Sequence, residues 1–185
     1  MKNLDEYFED GVLQNYVKTK TYDPWIGTQY EGYLSLANTQ MGVFGEILVS
    51  KIMSKNGSDV CVRENVGHDR IIDGYKTEIK FSLSRKLDYF TFNHIACNKD
   101  WERVLFLGVN PENNFRMNWI YKEDFVNNIN SDNRIFNHQQ GGENGNNDDF
   151  MFADKYSKLE DSGILQSMNL WMNDGIKKRG LQLWM

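Results

Sequence analysis

The sequence predicts an α/β (α+β) fold, a central mixed β-sheet flanked by helices, and three observations predict it. First, Asn38–Ser54 carries Val43, Phe44, Ile47, Leu48 and Ile52 at helical spacing. Second, a series of short β-type runs follows: Asp59–Arg63, His68–Ile72, Tyr75–Ser82, Arg103–Val109 and Phe115–Tyr121. Third, the stretch from Gly163 places Ile164, Leu165, Met168, Leu170, Trp171 and Met172 in another helical pattern. Helices before and after a set of strands have to cover one sheet, since each element must bury its apolar side against another.

The 185 residues suit a single domain, with 40% hydrophobic and 14% aromatic content sufficient for a core, which excludes a disordered chain. Within it the catalytic core is expected over about residues 38–121, and 122–185 adds a loop and a helical C-terminal part. No apolar stretch approaches the roughly 18–20 residues of a membrane span, and the segment beginning Met1, Lys2, Asn3, Leu4 has no signal-peptide core. A cytoplasmic (intracellular) protein without a membrane partner is expected. Cys61 and Cys97 form neither a CxxC motif nor a Cys/His cluster, which argues against a zinc centre or a disulfide framework.

At the front, Leu4–Val17 has Leu4, Tyr7, Phe8, Val12 and Tyr16 at helical spacing, and a loop around Asp23–Gly27 follows. Asn38 or Thr39 can cap the next helix, and Asn56-Gly57 ends it. Pro111–Asn114 makes the turn between the last two strands. Asn127–Asp149 is rich in Asn, Gly and Asp, with Ile129, Ile135 and Phe136 as its interior anchors, and reads as a long loop.

The net charge of −5 does not by itself announce a polyanion binder, but the charge is uneven. Between Arg63 and Lys86 six Lys/Arg stand against four Asp/Glu, a local excess of two positive charges where the chemistry concentrates.

That chemistry begins with Asp73-Gly74, flanked by Ile71-Ile72 and Tyr75, the signature of a two-residue type I′ hairpin. Such a turn sets Ile72 against Tyr75, Ile71 against Lys76, Arg70 against Thr77 and Asp69 against Glu78. Alternation then puts Asp69, Glu78 and Lys80 on one face and Ile72, Ile79 and Phe81 on the other. Two carboxylates in directly opposed positions, with Cβ atoms about 5 Å apart, repel. A divalent cation held by both would offset the repulsion, and hard oxygen ligands suit Mg²⁺, with Mn²⁺ able to substitute. Lys80 would point into the same pocket, a grouping able to bind and polarise a phosphate. Charged residues alternate with apolar ones in many solvent-facing strands as well, so Glu-x-Lys alone carries little.

The run Gly67–Ser82, with its Asp69 and its Glu78-Ile79-Lys80, resembles the core of the PD-(D/E)XK nuclease superfamily. Gly42-Val43-Phe44-Gly45-Glu46 is similar to the stretch that bears a helix Glu in that family. The likeness spans roughly Asn38–Tyr121; Phe90–Ile95 and the strand Val104–Val109 resemble continuations in restriction-endonuclease-like members. It departs from the namesake motif at His68, where a proline would stand. The resemblance implies a restriction-endonuclease-like core, with Asp69, Glu78 and the Ile79 backbone carbonyl as metal ligands. Lys80 would activate or orient the attacking water. Glu46 would orient a water, hold Lys80 or help a second metal. Asp73 is a second candidate for the family Asp, but the hairpin places it in the turn, away from Glu78.

The expected activity is Mg²⁺-dependent hydrolysis of double-stranded DNA, most like a type II restriction endonuclease. Cutting two strands favours a homodimer. Phage-type repair or processing, RNA cleavage, or a catalytically silent nucleic-acid-binding module are the alternatives, because one fold serves many functions. Ser82, Ser84, Arg85 and Lys86 after the catalytic strand are candidates for phosphate contacts, and Gln139 and Gln140 for reading bases. His68 alternates away from Asp69, and His94 and His138 lack ligand spacing.

Overall fold

The computed structural model describes residues 23–62, 67–84, 88–110, 112, 114–139 and 149–171. The predicted helix Leu4–Val17 lies outside them. The chain divides into two compact units, Met1–Leu36 and Ala37–Met185. In the first, the Asp23 carboxylate accepts hydrogen bonds from the amides of Trp25, 2.9 Å, and Gly32, 3.1 Å, closing a turn ahead of a 3-10 helix at Tyr33–Ser35.

The second unit is mixed α and β. It opens with helix α1 (Asn38–Lys55), followed by strands β1 (Val60–Val62), β2 (Arg70–Ile72) and β3 (Tyr75–Leu83). The cap differs from expectation. Ala37 is the N-cap residue, and Gln40 reaches back to accept its amide hydrogen at 3.1 Å, while Asn38 and Thr39 lie inside the helix. The buried row also differs: Gly45, Val49 and Met53 are covered, whereas Val43 and Ile47 are exposed. Gly45 explains this. A Cβ there would stand 2.4 Å from the Phe81 Cβ on β3, so the helix seats where its missing side chain permits close approach, rather than on its bulkier stripe.

Strand β4 (Tyr89–Ala96) then leaves the first sheet, and the chain returns as β5 (Arg103–Val109) and β6 (Phe115–Tyr121). Helix α2 (Lys122–Ile129), β7 (Asn137–His138), β8 (Asp149–Lys155), α3 (Tyr156–Asp161) and β9 (Gln166–Ser167) complete the described elements. Among these residues the main sheet runs β1-β2-β3-β5-β6-β9. It is mixed, because β3 and β5 are parallel while the other pairs are antiparallel.

The second sheet, β4-β8-β7, corrects the reading of Asn127–Asp149 as loop. Asn127–Ile129 finishes α2, Asn137 and His138 pair with β8, and Phe136 is wholly buried. Gly163 onward is likewise not one helix, since Gln166–Ser167 pairs with β6 before residues 168–171 turn helical. An aromatic core lies between the sheets: Phe90, Phe92 and Ile95 from β4, Val104 and Phe106 from β5, Ile120 from β6, and Phe150 and Phe152 from β8. Among the described residues no helix is long and apolar enough to cross a membrane, and Cys61 and Cys97 are free.

Candidate active site

The site is built on the β2–β3 hairpin. Asp73 and Gly74 take φ of 52° and 79°, the doubly positive geometry of a type I′ turn. Ile72 pairs with Tyr75, Ile71 with Lys76 and Arg70 with Thr77. Asp73 is a structural residue. Its carboxylate is fully buried and accepts from the Asp59 amide, 2.9 Å, and from the Trp171 indole, 3.0 Å. Both oxygens are thus occupied far from any chemistry.

Asp69 stands one step beyond β2. Its amide still donates to the Thr77 carbonyl at 3.0 Å, while its carboxylate accepts the Ile79 amide at 2.7 Å. The side chain therefore serves as acceptor for a β3 amide that the short strand β2 leaves uncovered.

Parallel pairing sets Glu78 beside Val104 and Lys80 beside Phe106. Adjacent residues in register share a face, so the acid and the lysine lie on the side of β3 that meets the aromatic core beneath the second sheet. This is no solvated strand face: the Glu78 side chain is 2% exposed and that of Lys80 13%. Lys80 Nζ donates to Glu78 Oε1 at 2.8 Å, and Lys99 Nζ lies 3.5 Å from the same oxygen. Glu78 Oε2 is buried with no hydrogen-bond partner among the described residues. Burial, then the Glu78 charge, pushes the Asp69 carboxyl up to about 6, with the Glu46 charge adding to the rise; the Ile79 amide and Lys80 oppose it.

Glu46 takes a partner that the sequence reading did not foresee. Its Oε2 accepts from Arg70 Nη1 at 2.7 Å, and Arg70 also reaches the Ser50 hydroxyl, 3.1 Å, and the Asp69 carbonyl, 2.7 Å. Arg70 alternates onto the α1 side of the hairpin, so Glu46 holds Arg70, while Lys80 is held by Glu78. Glu46 thus reaches Asp69 through a guanidinium.

Other expected contacts move away from the site. Ser82 and Ser84 are buried. Ser82 Oγ accepts from the Thr91 amide at 3.2 Å and Ser84 Oγ donates to the Tyr89 carbonyl at 2.5 Å, so these hydroxyls stitch the β3–β4 connection instead of facing a phosphate. Arg85, Lys86 and Gln140 lie outside the described residues. Gln139 Oε1 accepts the amide of His94, a residue at φ 56° where β4 is irregular. His68 is buried, with Nδ1 at 3.0 Å from the Asp100 carbonyl.

Among the described residues no three His, Cys, Asp or Glu side chains converge as a metal site. The pair Asp69 and Glu78 nevertheless fits a hard divalent cation. One buried oxygen has no partner there, and the neighbouring Asp69 carboxyl resists ionisation because of its burial and the Glu78 charge, both of which a cation would counter. Lys99 was not singled out in the sequence, where an isolated turn lysine carries no signal; Arg70 was legible only as the partner of Thr77. Compared with models of known families and with curated proteins, the chain matches none.

Proposed function

We propose that the chain is a metal-dependent endonuclease hydrolysing phosphodiester bonds of double-stranded DNA, most like a type II restriction endonuclease of the PD-(D/E)XK superfamily. The observation that carries this reading is Glu78. A carboxylate so deeply buried, with one oxygen unpartnered among the described residues, costs the fold roughly several kcal/mol in desolvation that Lys80 and the more distant Lys99 offset only in part. Acids held at such cost beside a second, perturbed acid are characteristic of reactive centres.

Asp69, Glu78 and the Ile79 carbonyl would hold Mg²⁺, or Mn²⁺ in its place. The bound ion would polarise the scissile phosphate and make a coordinated water more acidic. Lys80 donates toward charge developing on the phosphate and orients the attacking water. Arg70, itself fixed by Glu46 and Ser50, holds the Asp69 carbonyl and so positions its carboxylate. A homodimer would present two such sites to the two strands, and a cytoplasmic location belongs to the same proposal.

A second reading, a silent nucleic-acid-binding module, is favoured by one observation: Lys80 and Lys99 already neutralise Glu78. Incubation of mixed DNA substrates with Mg²⁺, Mn²⁺ or EDTA separates the two. The nuclease reading expects metal-dependent cleavage that Lys80→Ala and Glu78→Ala each lower by about 10²–10⁴-fold. Discrete fragments would mark a restriction enzyme, and a smear or structure-dependent nick a processing enzyme. Binding without cleavage would favour the silent module, and cleavage indifferent to both substitutions would refute the site.

A further inference from the structure

We propose that Lys99 is a phosphate-binding residue of this site, resting against Glu78 in the free protein and gripping a non-bridging oxygen of the nucleic-acid backbone when substrate is bound. The inference rests on the nuclease reading above and adds a residue to it.

Two lysines approach the same carboxylate oxygen, and they are not equivalent. Lys80 makes a charge-assisted hydrogen bond of ordinary length, 2.8 Å, from a side chain 13% exposed. Lys99 stands off at 3.5 Å, and its side chain is 44% exposed. Glu78 Oε1 is therefore already satisfied by the inner lysine. The outer one contributes charge but little bonding, and its ammonium lies between the buried acid and solvent. The Lys99 end of this pair is open to solvent, which screens its contribution relative to the shorter Lys80 bond.

The backbone beneath Lys99 is held firmly. Its carbonyl accepts from Lys122 Nζ at 2.6 Å and from the Trp101 amide at 3.1 Å, and the Trp101 indole donates to the Ala96 carbonyl at 2.7 Å. The next residue ties the turn to the segment that leads into Asp69: His68 Nδ1 lies 3.0 Å from the Asp100 carbonyl. Gly67, at φ 136°, runs so close that an added Cβ would stand 3.0 Å from the Asp100 amide nitrogen. A long side chain whose head rests loosely on Glu78 is thus mounted on a base fixed to the segment that carries Asp69. That combination suits an ammonium that must meet a phosphate at a set place, where lysine acts as a point charge.

The test is binding of a labelled DNA duplex over a series of KCl concentrations in EDTA, where the nuclease reading expects no cleavage, with Lys80 intact and with and without Lys99→Gln. Loss of one phosphate contact lowers the slope of log K against log salt by ~0.9. The expected result is that drop, about tenfold weaker binding at low salt, and recovery of the slope by Lys99→Arg, with thermal midpoints unchanged. With Mg²⁺ present, Lys99→Gln raises KM for cleavage more than it lowers kcat. An unchanged slope together with unchanged KM would overturn the role of Lys99 and leave the nuclease reading standing. A parent protein that neither binds nor cuts the duplex would overturn both.

Discussion

Asp69 shows how a single side chain can serve the fold and strain against it. Its carboxylate accepts the Ile79 amide, which favours the charged form, yet burial and the charge of Glu78 outweigh that bond and push its pKa from 3.8 to about 6. Between these values the folded chain holds a proton that the unfolded chain releases. The stability contributed by this group is thus complete below about pH 4 and is lost as pH rises through about 6, a change of at most about 3 kcal/mol. Asp69→Asn removes the titration. In EDTA, the stability of the parent relative to this variant should therefore fall between about pH 4 and pH 7, measured by urea unfolding. A difference independent of pH would sink the assignment. Gly45 supplies a second case, where the close approach of Phe81 opposes helix propensity. Gly45→Ala gains up to about 1 kcal/mol of propensity but places a methyl 2.4 Å from a side-chain carbon, and should destabilise by about 1–3 kcal/mol net. Gly42→Ala, with open space around it, should stabilise by about 0.5–1 kcal/mol. Thermal unfolding of the two variants checks the opposite signs.

The hairpin shows what an element can disclose before it is seen. Asp73-Gly74 dictates its own turn type, and a two-residue turn leaves one register, so the pairing of Arg70 with Thr77 was legible from local chemistry. Strands β5 and β6 were legible for a similar reason, being compact runs of β-formers around a Pro-Asn turn. The seat of α1 was not. Periodicity favours the stripe with the larger side chains, and only the path of β3 reveals that Phe81 occupies the notch at Gly45. Strand β8 escaped because Asn, Gly and Asp residues dominate its approach, although Phe150 and Phe152 alternate within it; its partner β4 is some sixty residues away and leaves no local sign. Of the candidate site, Asp69, Glu78 and Lys80 come from one hairpin and were found together. Glu46 comes from another element, and whether it meets Lys80 or Arg70 depends on how helix and sheet cross, which no spacing encodes.

Glu78 and Lys80 stand in register with Val104 and Phe106, which belong to the aromatic core that the two sheets share. A cation taken up there binds the native chain alone, so it should raise the stability of the whole second unit. Saturating Mg²⁺ at 100 times its Kd corresponds to about 2.7 kcal/mol. A rise in thermal midpoint with Mg²⁺ is expected for the parent and is lost in Glu78→Gln; equal rises in both would place the ion elsewhere. The indole of Trp171 clasps Asp73 across 98 residues of chain. At a synthesis rate of about 5–20 residues per second, roughly 5–20 seconds separate the emergence of the hairpin from that of its clasp. During that interval the hairpin lacks the indole donor that satisfies one oxygen of its turn aspartate in the folded protein. The hairpin that bears Asp69 and Glu78 thus gains its last native hydrogen bond only once the later part of the chain has been made.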